Sequence, residues 1–526
     1  MTRTKYKPLL FTLALRSPYR IEQFLIELSE SKLDGKDLTK KNIEKLYQNL
    51  IKVGMYKTNG SNADFGNLDE ASIKKRWKDQ IFLEDFEAEK LVELNAPSHK
   101  EKGFSKGWSS RFHTHYEISK RLGFIEFTYQ TDLEEAKNKN TEKIWEDLRK
   151  NSIPVKLTET GKEFIDINTN PARKQALYTN GLMRLHRNGL IIYEKNKNRP
   201  LPLLLSALKK IIEIDDKGVS KFELLIWGYW KNNNPNELVN AILKFREKYG
   251  PNPSRENIIN YCVNNVQGGD IARDPDSITK DYVDNYFRYL HYSGLFTYRG
   301  AGRYITLNKE LIKVIDYIIE NHSEYIEFNN EIEYLKFLSS KDEEFLNLFT
   351  YDTETKEPTK ATNLKKWLDE FGIEVVKEEI NKLGNSRAVS RNEILKNIVE
   401  PLRLEFLASL YLHHKYSECE VKPSYRVDDE GLPTGFASGV GDIEVVCSED
   451  ATLYEVTLHR DYNNQVFREI IPIDSHLTDF KKSFPNATAV MIAPKIHERV
   501  AAAASIRANE SGNKPIKLIT INDYFV

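Results

Sequence analysis

The fold of the C-terminal part of the chain is most clearly indicated by residues 441-GDIEVVCSEDATLYEVTLHRD-461. This segment places acids where a buried core is expected. Apolar and polar residues alternate on both sides of a short polar turn, which predicts two paired β-strands. We expect residues 442–447 to pair with 453–458. Asp442 and Glu455 then lie on adjacent strands whose backbones are about 5 Å apart.

Two carboxylates at that spacing repel each other unless a cation lies between them. A hard divalent cation such as Mg²⁺ prefers oxygen ligands, so the pair predicts a magnesium site. Glu405, in the apolar helical segment RLEFLASLYL, is a third acid that is costly to bury unpaired. The alternatives are that the paired acids simply end their strands and that Glu405 lies on the surface of an amphipathic helix.

His476 follows this hairpin in a segment with a helical pattern. Histidine can donate to a phosphate or move a proton near neutral pH, which makes His476 a candidate for acid–base chemistry. The alternative is an exposed histidine at a helix end. From residue 396 onward the elements follow the order α, β, β, β, α, β, α, β. This order predicts a mixed sheet that is flanked by helices.

Two upstream segments, 88–166 and 201–308, each contain a helix followed by a strand, a turn and a returning strand or helix start. This pattern is typical of a winged helix that contacts DNA, although small α+β units with a scaffold role would give it too. We therefore predict a multidomain α+β protein. Its parts are an N-terminal domain (1–175), a second winged-helix-like domain (176–320), a helical linker (321–395) and a C-terminal α/β domain (396–526).

The composition places limits on function. The 526 residues contain 77 Lys and Arg against 78 Asp and Glu, a net charge of −1, so any nucleic-acid-binding surface is local. No apolar run approaches the roughly 20 residues that span a bilayer, and the N-terminus does not have the pattern of a signal peptide. Cys262, Cys419 and Cys447 lie far apart in the sequence, so we expect no disulfide and a reducing cytoplasm.

These segments together resemble a known enzyme family. GDIEVV and YEVT resemble the core of PD-(D/E)xK nucleases, and the wider chain resembles the AlwI/BstNBI-type group of type IIS restriction and nicking endonucleases. The similar segments include LPTGFASGV before the first acid, EVTLHRD with Gln465 and Glu469, SHL at 475–477, and FSKGWSSRFHTHYEISKRLGFI upstream. The similarity covers most of the chain and is weakest over 320–395.

The resemblance implies roles for individual residues. Asp442 and Glu455 match the two metal-binding carboxylates, Glu405 the helix glutamate of the acidic cluster, and His476 the histidine of this region. Thr457 stands where the wider superfamily has lysine, and the AlwI/BstNBI-type group has a threonine there too. The role of that lysine, which orients water and stabilises charge, therefore has no assigned residue, and His476 is the candidate for it.

The resemblance also implies the activity. It predicts an enzyme that recognises a short asymmetric site in double-stranded DNA and hydrolyses a phosphodiester bond a few base pairs outside it with Mg²⁺. One such centre cuts one strand, so cutting both strands requires a transient homodimer, a second nuclease subunit or a reorientation. The sequence leaves open whether the protein nicks DNA or cuts both strands.

Basic residues in the two winged-helix-like segments and near the N-terminus are candidates for DNA contact, because arginine reads guanine or clamps phosphate. The predicted DNA-binding residues are Arg16, Arg20, Lys106, Arg111, His113, His115, Arg288, Arg299 and Arg303. Each is equally compatible with an ordinary solvated side chain. The His113 and His115 pair has no further Cys or His nearby that would complete a zinc site.

Two other classes of function are weighed against the nuclease. A non-catalytic winged-helix regulator with a decayed nuclease domain is the first, and the presence of all three acids argues against it. A DNA methyltransferase is the second, and the chain has neither an N/DPPY-type catalytic tetrapeptide nor a P-loop.

Overall fold

The computed structural model describes residues 8–9, 11, 18–37, 40–55, 63–78, 81–95, 109–126, 154–187, 196–215, 217–250, 253–267, 275–354, 363–385, 390, 392, 394–436, 440–448 and 450–525. The chain forms two compact units. The first contains Met1–Phe296 and Thr306–Glu357, and the second contains Thr297–Ile305 and Pro358–Val526. The finer division into four domains stays a prediction.

The first unit is mostly helical, because its amphipathic segments bury their apolar faces against one another. Its longer helices are Tyr19–Glu30, Lys40–Lys52, Glu70–Lys78, Asp85–Leu94, Ser109–Arg121, Glu159–Ile165, Pro171–Arg184, Pro200–Ile214, Glu223–Tyr229, Pro235–Tyr249, Arg255–Tyr261, Val283–Tyr292, Ile312–His322, Glu331–Ser339 and Glu343–Glu354. Two π-helical segments, Cys262–Gln267 and Ile278–Tyr282, lie among them.

Both upstream segments contain the predicted elements. Ser109–Arg121 leads into Ile125–Glu126, which pairs antiparallel with Lys156–Leu157. In the later segment, the strands Phe296–Arg299 and Tyr304–Leu307 follow the helix that ends at Tyr292. The assignment of either segment to the winged-helix fold stays a prediction.

A five-stranded mixed sheet forms the centre of the second unit. In chain order its strands are β1 (Glu420–Pro423), β2 (Ile443–Cys447), β3 (Asp450–Val456), β4 (Thr488–Ala493) and β5 (Lys517–Thr520), and their order in the sheet is β5-β4-β3-β2-β1. The pairs β1–β2 and β2–β3 are antiparallel, whereas β3–β4 and β4–β5 are parallel. The predicted mixed sheet is therefore confirmed.

Helices cover both faces of this sheet. Helix α1 (Glu400–Lys415) packs with Ile443, Val445, Tyr454 and Val456 into one apolar cluster, to which the helices Leu364–Phe371 and Ile373–Asn385 also contribute. Helices α2 (Ile471–Phe480) and α3 (Val500–Ser511) pack on the other face. Alternation along β2 and β3 thus sends apolar side chains into two separate cores.

The C-terminal segment differs from the prediction at two places. The last strand of the predicted order corresponds to the segment IKLITINDYFV, but β5 ends at Thr520 and Ile521–Phe525 is helical. The Thr520 hydroxyl accepts a hydrogen bond from Asp523 N at 3.2 Å and donates to Asp523 Oδ2 at 2.6 Å, which is the pattern that starts a helix. The turn between β2 and β3 is also shorter than expected, since the strands end and begin at Cys447 and Asp450.

The expectation that the chain has no disulfide is wrong. Cys419 and Cys447 are bonded to each other, with their Cα atoms 4.5 Å apart, while Cys262 is free and buried. The antiparallel register pairs Glu420 with Val446, so the next residue on each strand brings the two cysteines opposite each other. The cysteine content therefore gives no support for a reducing compartment, and a cytoplasmic location stays an expectation.

Across the described ranges, no helix combines the length and the apolar character needed to cross a membrane.

Candidate active site

The hairpin of β2 and β3 brings Asp442 and Glu455 together. Ile443 pairs with Tyr454, and continuing this register by one residue places Asp442 opposite Glu455. The backbone N–H of Val456 donates to Asp442 Oδ2 at 2.9 Å, which fixes the first carboxylate against the second strand. Gly441, just before Asp442, is buried, and a Cβ atom at this residue would lie 3.0 Å from Glu455 Oε1.

Two further acids approach this pair. Glu405 lies in the middle of α1 and is only 7% exposed. Glu469 lies in the π-helical segment Gln465–Ile470, which precedes α2, and Thr457 makes a side-chain hydrogen bond to it. The charges of Asp442 and Glu469 both act on Glu405. Four carboxyl groups from four different elements therefore share one electrostatic environment.

Burial is the main cause that raises the pKa values of these acids. It raises the pKa of Glu405 to about 9, that of Glu455 to about 8 and that of Glu469 to about 7. The pKa of Asp442 is raised well above its ordinary value by burial and by the charge of Glu455. No lysine or arginine among the described residues forms an ion pair with any of the four. Ionising these buried acids is therefore costly, although Glu469 has the charge of Arg468 and the His459 ring, 3.8 Å away, beside it.

His476 contacts the acid pair directly. Its Nδ1 atom lies 2.9 Å from Glu455 Oε1, and burial lowers the pKa of His476 below its ordinary value. Burial therefore favours the uncharged form of both His476 and Glu455. Such a pair can accept or release a proton without creating a buried charge far from its partner.

Helix α2 is held in place beside His476. Asp474, which is 2% exposed, accepts hydrogen bonds from Ser511 Oγ at 2.7 Å and from Asn513 Nδ2 at 2.8 Å. Arg507 Nε forms an ion pair with its other carboxylate oxygen at 3.1 Å. This network ties α2 to the end of α3 and fixes the helix that carries His476.

Gln465 fixes the segment that carries Glu469. Its side-chain amide donates to the backbone oxygens of His459 at 2.9 Å and Lys495 at 2.6 Å. Its Oε1 atom accepts from the backbone N–H of His497 at 3.0 Å. The fully buried amide therefore connects the loops that follow β3 and β4 to the start of the helical segment.

The donor chemistry of the cluster fits a hard divalent cation, because the four acids offer oxygen ligands. The geometry is less complete than the chemistry. Within the described part of the chain, no three acidic, histidine or cysteine side chains form a ready-made metal-binding group. Asp442 and Glu455 are the pair that would hold such an ion, and the other acids would have to move closer to bind it.

The structure describes only some of the predicted DNA-binding residues. Arg16 and Lys106 fall outside the described residues, and for Arg111 and His113 only the backbone, in Ser109–Arg121, is described. His115 is 1% exposed, and its ring stacks on Phe24 with the centroids 5.0 Å apart. A ring in that position is part of the apolar core of the first unit.

The remaining basic residues lie at the surface of their units. Arg20 and Arg303 are exposed. Arg288 forms an ion pair with Asp284 at 2.8 Å, and Arg299 forms one with Glu430 at 3.3 Å. DNA contact by any of these residues stays a prediction.

Sequence reasoning from strand alternation did not assign a role to Glu469. A signal was present, because Glu469 precedes His476 by seven residues, and residues seven apart lie on the same face of a helix. A helix that presents His476 to the sheet therefore presents Glu469 to it as well.

A search of solved structures returns the small subunit of the heterodimeric restriction endonuclease R.BspD6I, with 20% identity and a TM-score of 0.23 over 28% of this chain and 72% of that one. It also returns the restriction endonuclease FokI, with 10% identity and a TM-score of 0.25 over 100% of this chain and 95% of that one. FokI bound to DNA is found at 11% identity and a TM-score of 0.25, over 99% of this chain and 95% of that one.

TM-scores below 0.5 do not establish a shared fold, and no curated protein matches the chain. The model of the AlwI restriction endonuclease family, by contrast, matches residues 122–347 and 350–509. These two ranges include Glu405, Asp442, Glu455 and His476 and amount to well over half of the sequence. The chain therefore belongs to the AlwI restriction endonuclease family.

Proposed function

We propose that this member of the family is a type IIS site-specific deoxyribonuclease of a restriction–modification system. It recognises a short asymmetric site in double-stranded DNA through its upstream modules and hydrolyses a phosphodiester bond a few base pairs outside that site. The observation that carries this proposal is the cluster of four buried acids, Asp442, Glu455, Glu405 and Glu469, beside His476. Their carboxyl oxygens are hard ligands, and a divalent cation would offset the charge that burial makes costly.

The residues of the cluster have distinct roles in this proposal. Asp442 and Glu455 would hold Mg²⁺, and Glu405 and Glu469 would complete the oxygen ligands directly or through water. Magnesium, when bound there, would lower the pKa of a water and offset negative charge on the phosphoryl oxygens. His476 takes or returns a proton at Nδ1 beside Glu455, and Thr457 holds Glu469.

The number of strands cut follows from the number of centres. The described residues of one chain contain one such acid cluster, so we expect a monomer to nick one strand of the duplex. Cleavage of both strands would require a second catalytic domain, supplied by a transient homodimer or by a separate nuclease subunit. We propose nicking as the activity of the isolated chain.

A cleavage assay tests the proposal. Supercoiled plasmid incubated with the protein and Mg²⁺ is expected to become open-circular DNA, and chelation of the metal by EDTA is expected to stop the reaction. Sequencing the ends then gives the site, the offset and the strand, with 5′-phosphate and 3′-hydroxyl ends expected. Cuts at random positions would contradict site-specific recognition.

The second candidate is a non-catalytic DNA-binding regulator with a decayed nuclease domain. The absence of a ready-made group of three metal ligands within the described residues favours it. The same assay separates the two functions. Sequence-specific binding without nicked or linear product at any Mg²⁺ or Mn²⁺ concentration would establish the regulator and overturn the nuclease.

A further inference from the structure

The turn Arg299–Arg303 in the second unit has an unusual backbone. Gly300, Ala301 and Gly302 all have positive φ angles, of 60°, 59° and 73°. Ala301 is one of the few described non-glycine residues in this region of φ. Successive backbone N–H groups in turns of this kind can point to the same side and form a concave anion-binding site, a nest.

Carboxylates of three consecutive residues accept hydrogen bonds from backbone N–H groups of this turn and of Tyr298 just before it. Asp429 Oδ2 accepts from Tyr298 N at 2.5 Å, and Asp428 Oδ2 accepts from Ala301 N at 3.0 Å. Glu430 Oε2 accepts from Gly300 N at 3.4 Å. The turn is therefore an anion-binding site whose anions are supplied by the same unit.

The side chain of Arg299 strengthens this interaction. Its Nε atom forms an ion pair with Glu430 Oε1 at 3.3 Å, so one glutamate bonds both a backbone N–H and a guanidinium. An N–H group of the backbone together with an arginine is also the usual donor set for a DNA phosphate. The donors that hold the carboxylates are thus those that a phosphodiester needs.

The acidic loop is itself well ordered. Asp428 is 6% exposed, and its Oδ1 atom accepts from the backbone N–H groups of Glu430 and Leu432, both at 2.9 Å. The indole of Trp367 donates to the backbone oxygen of Glu430 at 2.9 Å. Asp429 is exposed and Glu430 half-buried, so these two acids can leave the turn while Asp428 keeps the loop folded.

We propose that Tyr298–Arg303 is a binding site for the DNA phosphate backbone and that Asp429 and Glu430 occupy it until duplex DNA displaces them. This inference rests on the proposed function, because it requires duplex DNA as the ligand. It adds a site at which the chain competes with its own substrate. A phosphodiester carries its negative charge on two oxygens, so it can replace a carboxylate on the same donors.

The test neutralises the competing acids without changing their shape. In D429N/E430Q the amide oxygens bind the turn more weakly than carboxylates, because a hydrogen bond to an ionised group is about twice as strong. We expect the Kd for duplex DNA, measured by fluorescence anisotropy in EDTA, to fall about 3–10-fold. Adding Arg299→Ala to this variant is expected to abolish most of the gain.

The matched control is D369N/E370Q. Asp369 and Glu370 are exposed acids of the same unit on the helix Leu364–Phe371, and the control changes the net charge by the same amount. We expect it to shift the Kd less than twofold. Equal effects of the two double variants would show that only overall charge matters, and would overturn the inference.

Hydrogen exchange supplies the second measurement. In D429N/E430Q without DNA, the amides of Tyr298 and Gly300 are expected to exchange faster than in the wild type, and duplex DNA is expected to restore their protection. Amides that gain no protection from DNA, while the variant binds DNA, would overturn the site. A wild type that binds no duplex at low salt would instead overturn the proposed function, since that result does not depend on the acids.

Discussion

The two compact units both bury titratable side chains, but they arrange the charges in opposite ways. In the first unit, Arg199 Nη2 lies 3.3 Å from His322 Nδ1, and His322 Nε2 lies 2.8 Å from Asp342 Oδ2. Arginine only donates hydrogen bonds, so Nδ1 accepts and the proton of His322 is on Nε2. A neutral histidine therefore joins a cation to an anion.

In the second unit the buried titratable groups of the cluster are all acids, and the two units differ in what sets the pKa values of such acids. Burial raises the pKa of Asp342 in the first unit, but hydrogen bonds from Phe345, His322 and Tyr317 outweigh it and lower that pKa. For Asp442 and Glu455, by contrast, hydrogen bonds do not outweigh burial, and both pKa values stay raised. In the first unit, hydrogen bonds stabilise the buried charge, whereas in the second unit several buried acids lie together and ionising them is costly.

The largest effect is expected when one acid of the cluster is removed, because this tests directly whether the cluster serves catalysis rather than the scaffold. We expect Asp442→Asn to reduce DNA cleavage by about 10³-fold, a loss of the size found when a charge-stabilising group is removed from an active site. The free energy of unfolding is expected not to fall, because the change relieves repulsion. Nicking rates and denaturant unfolding measure the two effects.

The control for this variant is Glu444→Gln, two residues further along β2, which is expected to keep at least half of the activity. Loss of folding or of duplex binding in Asp442→Asn would assign that acid to the scaffold instead, and the contrast between the two units would fail.

Removal of the disulfide tests how much the stability of the second unit depends on a covalent cross-link. Replacing Cys419 and Cys447 together with serine is expected to lower the free energy of unfolding by about 2–4 kcal/mol, because the unfolded chain loses a cross-link over 28 residues. Chemical denaturation with and without reductant measures this change. Reductant is expected to destabilise the wild type and to leave the double variant unchanged, and equal sensitivity of both would contradict the bond.

The compensated cluster of the first unit is tested by Asp342→Asn. We expect the free energy of unfolding to fall by about 1–3 kcal/mol, since His322 and Tyr317 lose their charged acceptor. The matched control is Asp316→Asn, which removes a partly exposed ion pair with Lys209 and is expected to cost less than about 1 kcal/mol. Cleavage at temperatures well below unfolding is expected to persist in both, so a selective loss of cleavage in Asp342→Asn would contradict its scaffold role.

The pH dependence of stability is expected to have opposite signs in the two units. Glu455 and Glu405 have folded pKa values of about 8 and about 9, above their unfolded values, so the folded state binds more protons. Stability of the metal-free second unit therefore falls as pH rises from about 5 toward 9.

In the first unit, burial lowers the pKa of His186 to about 3 and also lowers that of His322. The unfolded state then binds more protons, and stability falls as pH drops below about 6.5. Hydrogen exchange of peptides from each unit, in EDTA, measures both trends. The same sign in both units would contradict the comparison, and Mg²⁺ is expected to flatten only the alkaline trend of the second unit.

The sheet and the acid pair could be predicted from the sequence because both depend on local rules. Alternation with period two fixes which residues of β2 and β3 share a face, and a short turn leaves little freedom in register. Alternation alone predicts that Asp442 and Glu455 lie on adjacent strands. Their direct pairing depends on the turn between Cys447 and Asp450, which is shorter than the sequence indicated.

The remaining features depend on contacts between distant segments. His115 is buried because Phe24, some ninety residues earlier, packs on its ring. The Cys419–Cys447 bond requires the register of an edge strand that is only four residues long. The helix at Ile521 is different, because its starting pattern at Thr520 and Asp523 was present in the sequence and could have been recognised.

Gly441 shows that the site depends on empty space as much as on charge. An added methyl group would lie 2.3 Å from Leu453 Cδ1, and Leu453 is 1% exposed in a packed core that cannot easily yield. The same methyl would press on the oxygen of Glu455 that faces His476. In a library of variants, we therefore expect this glycine to tolerate as few substitutions as the charged residues around it, although it has no functional group of its own.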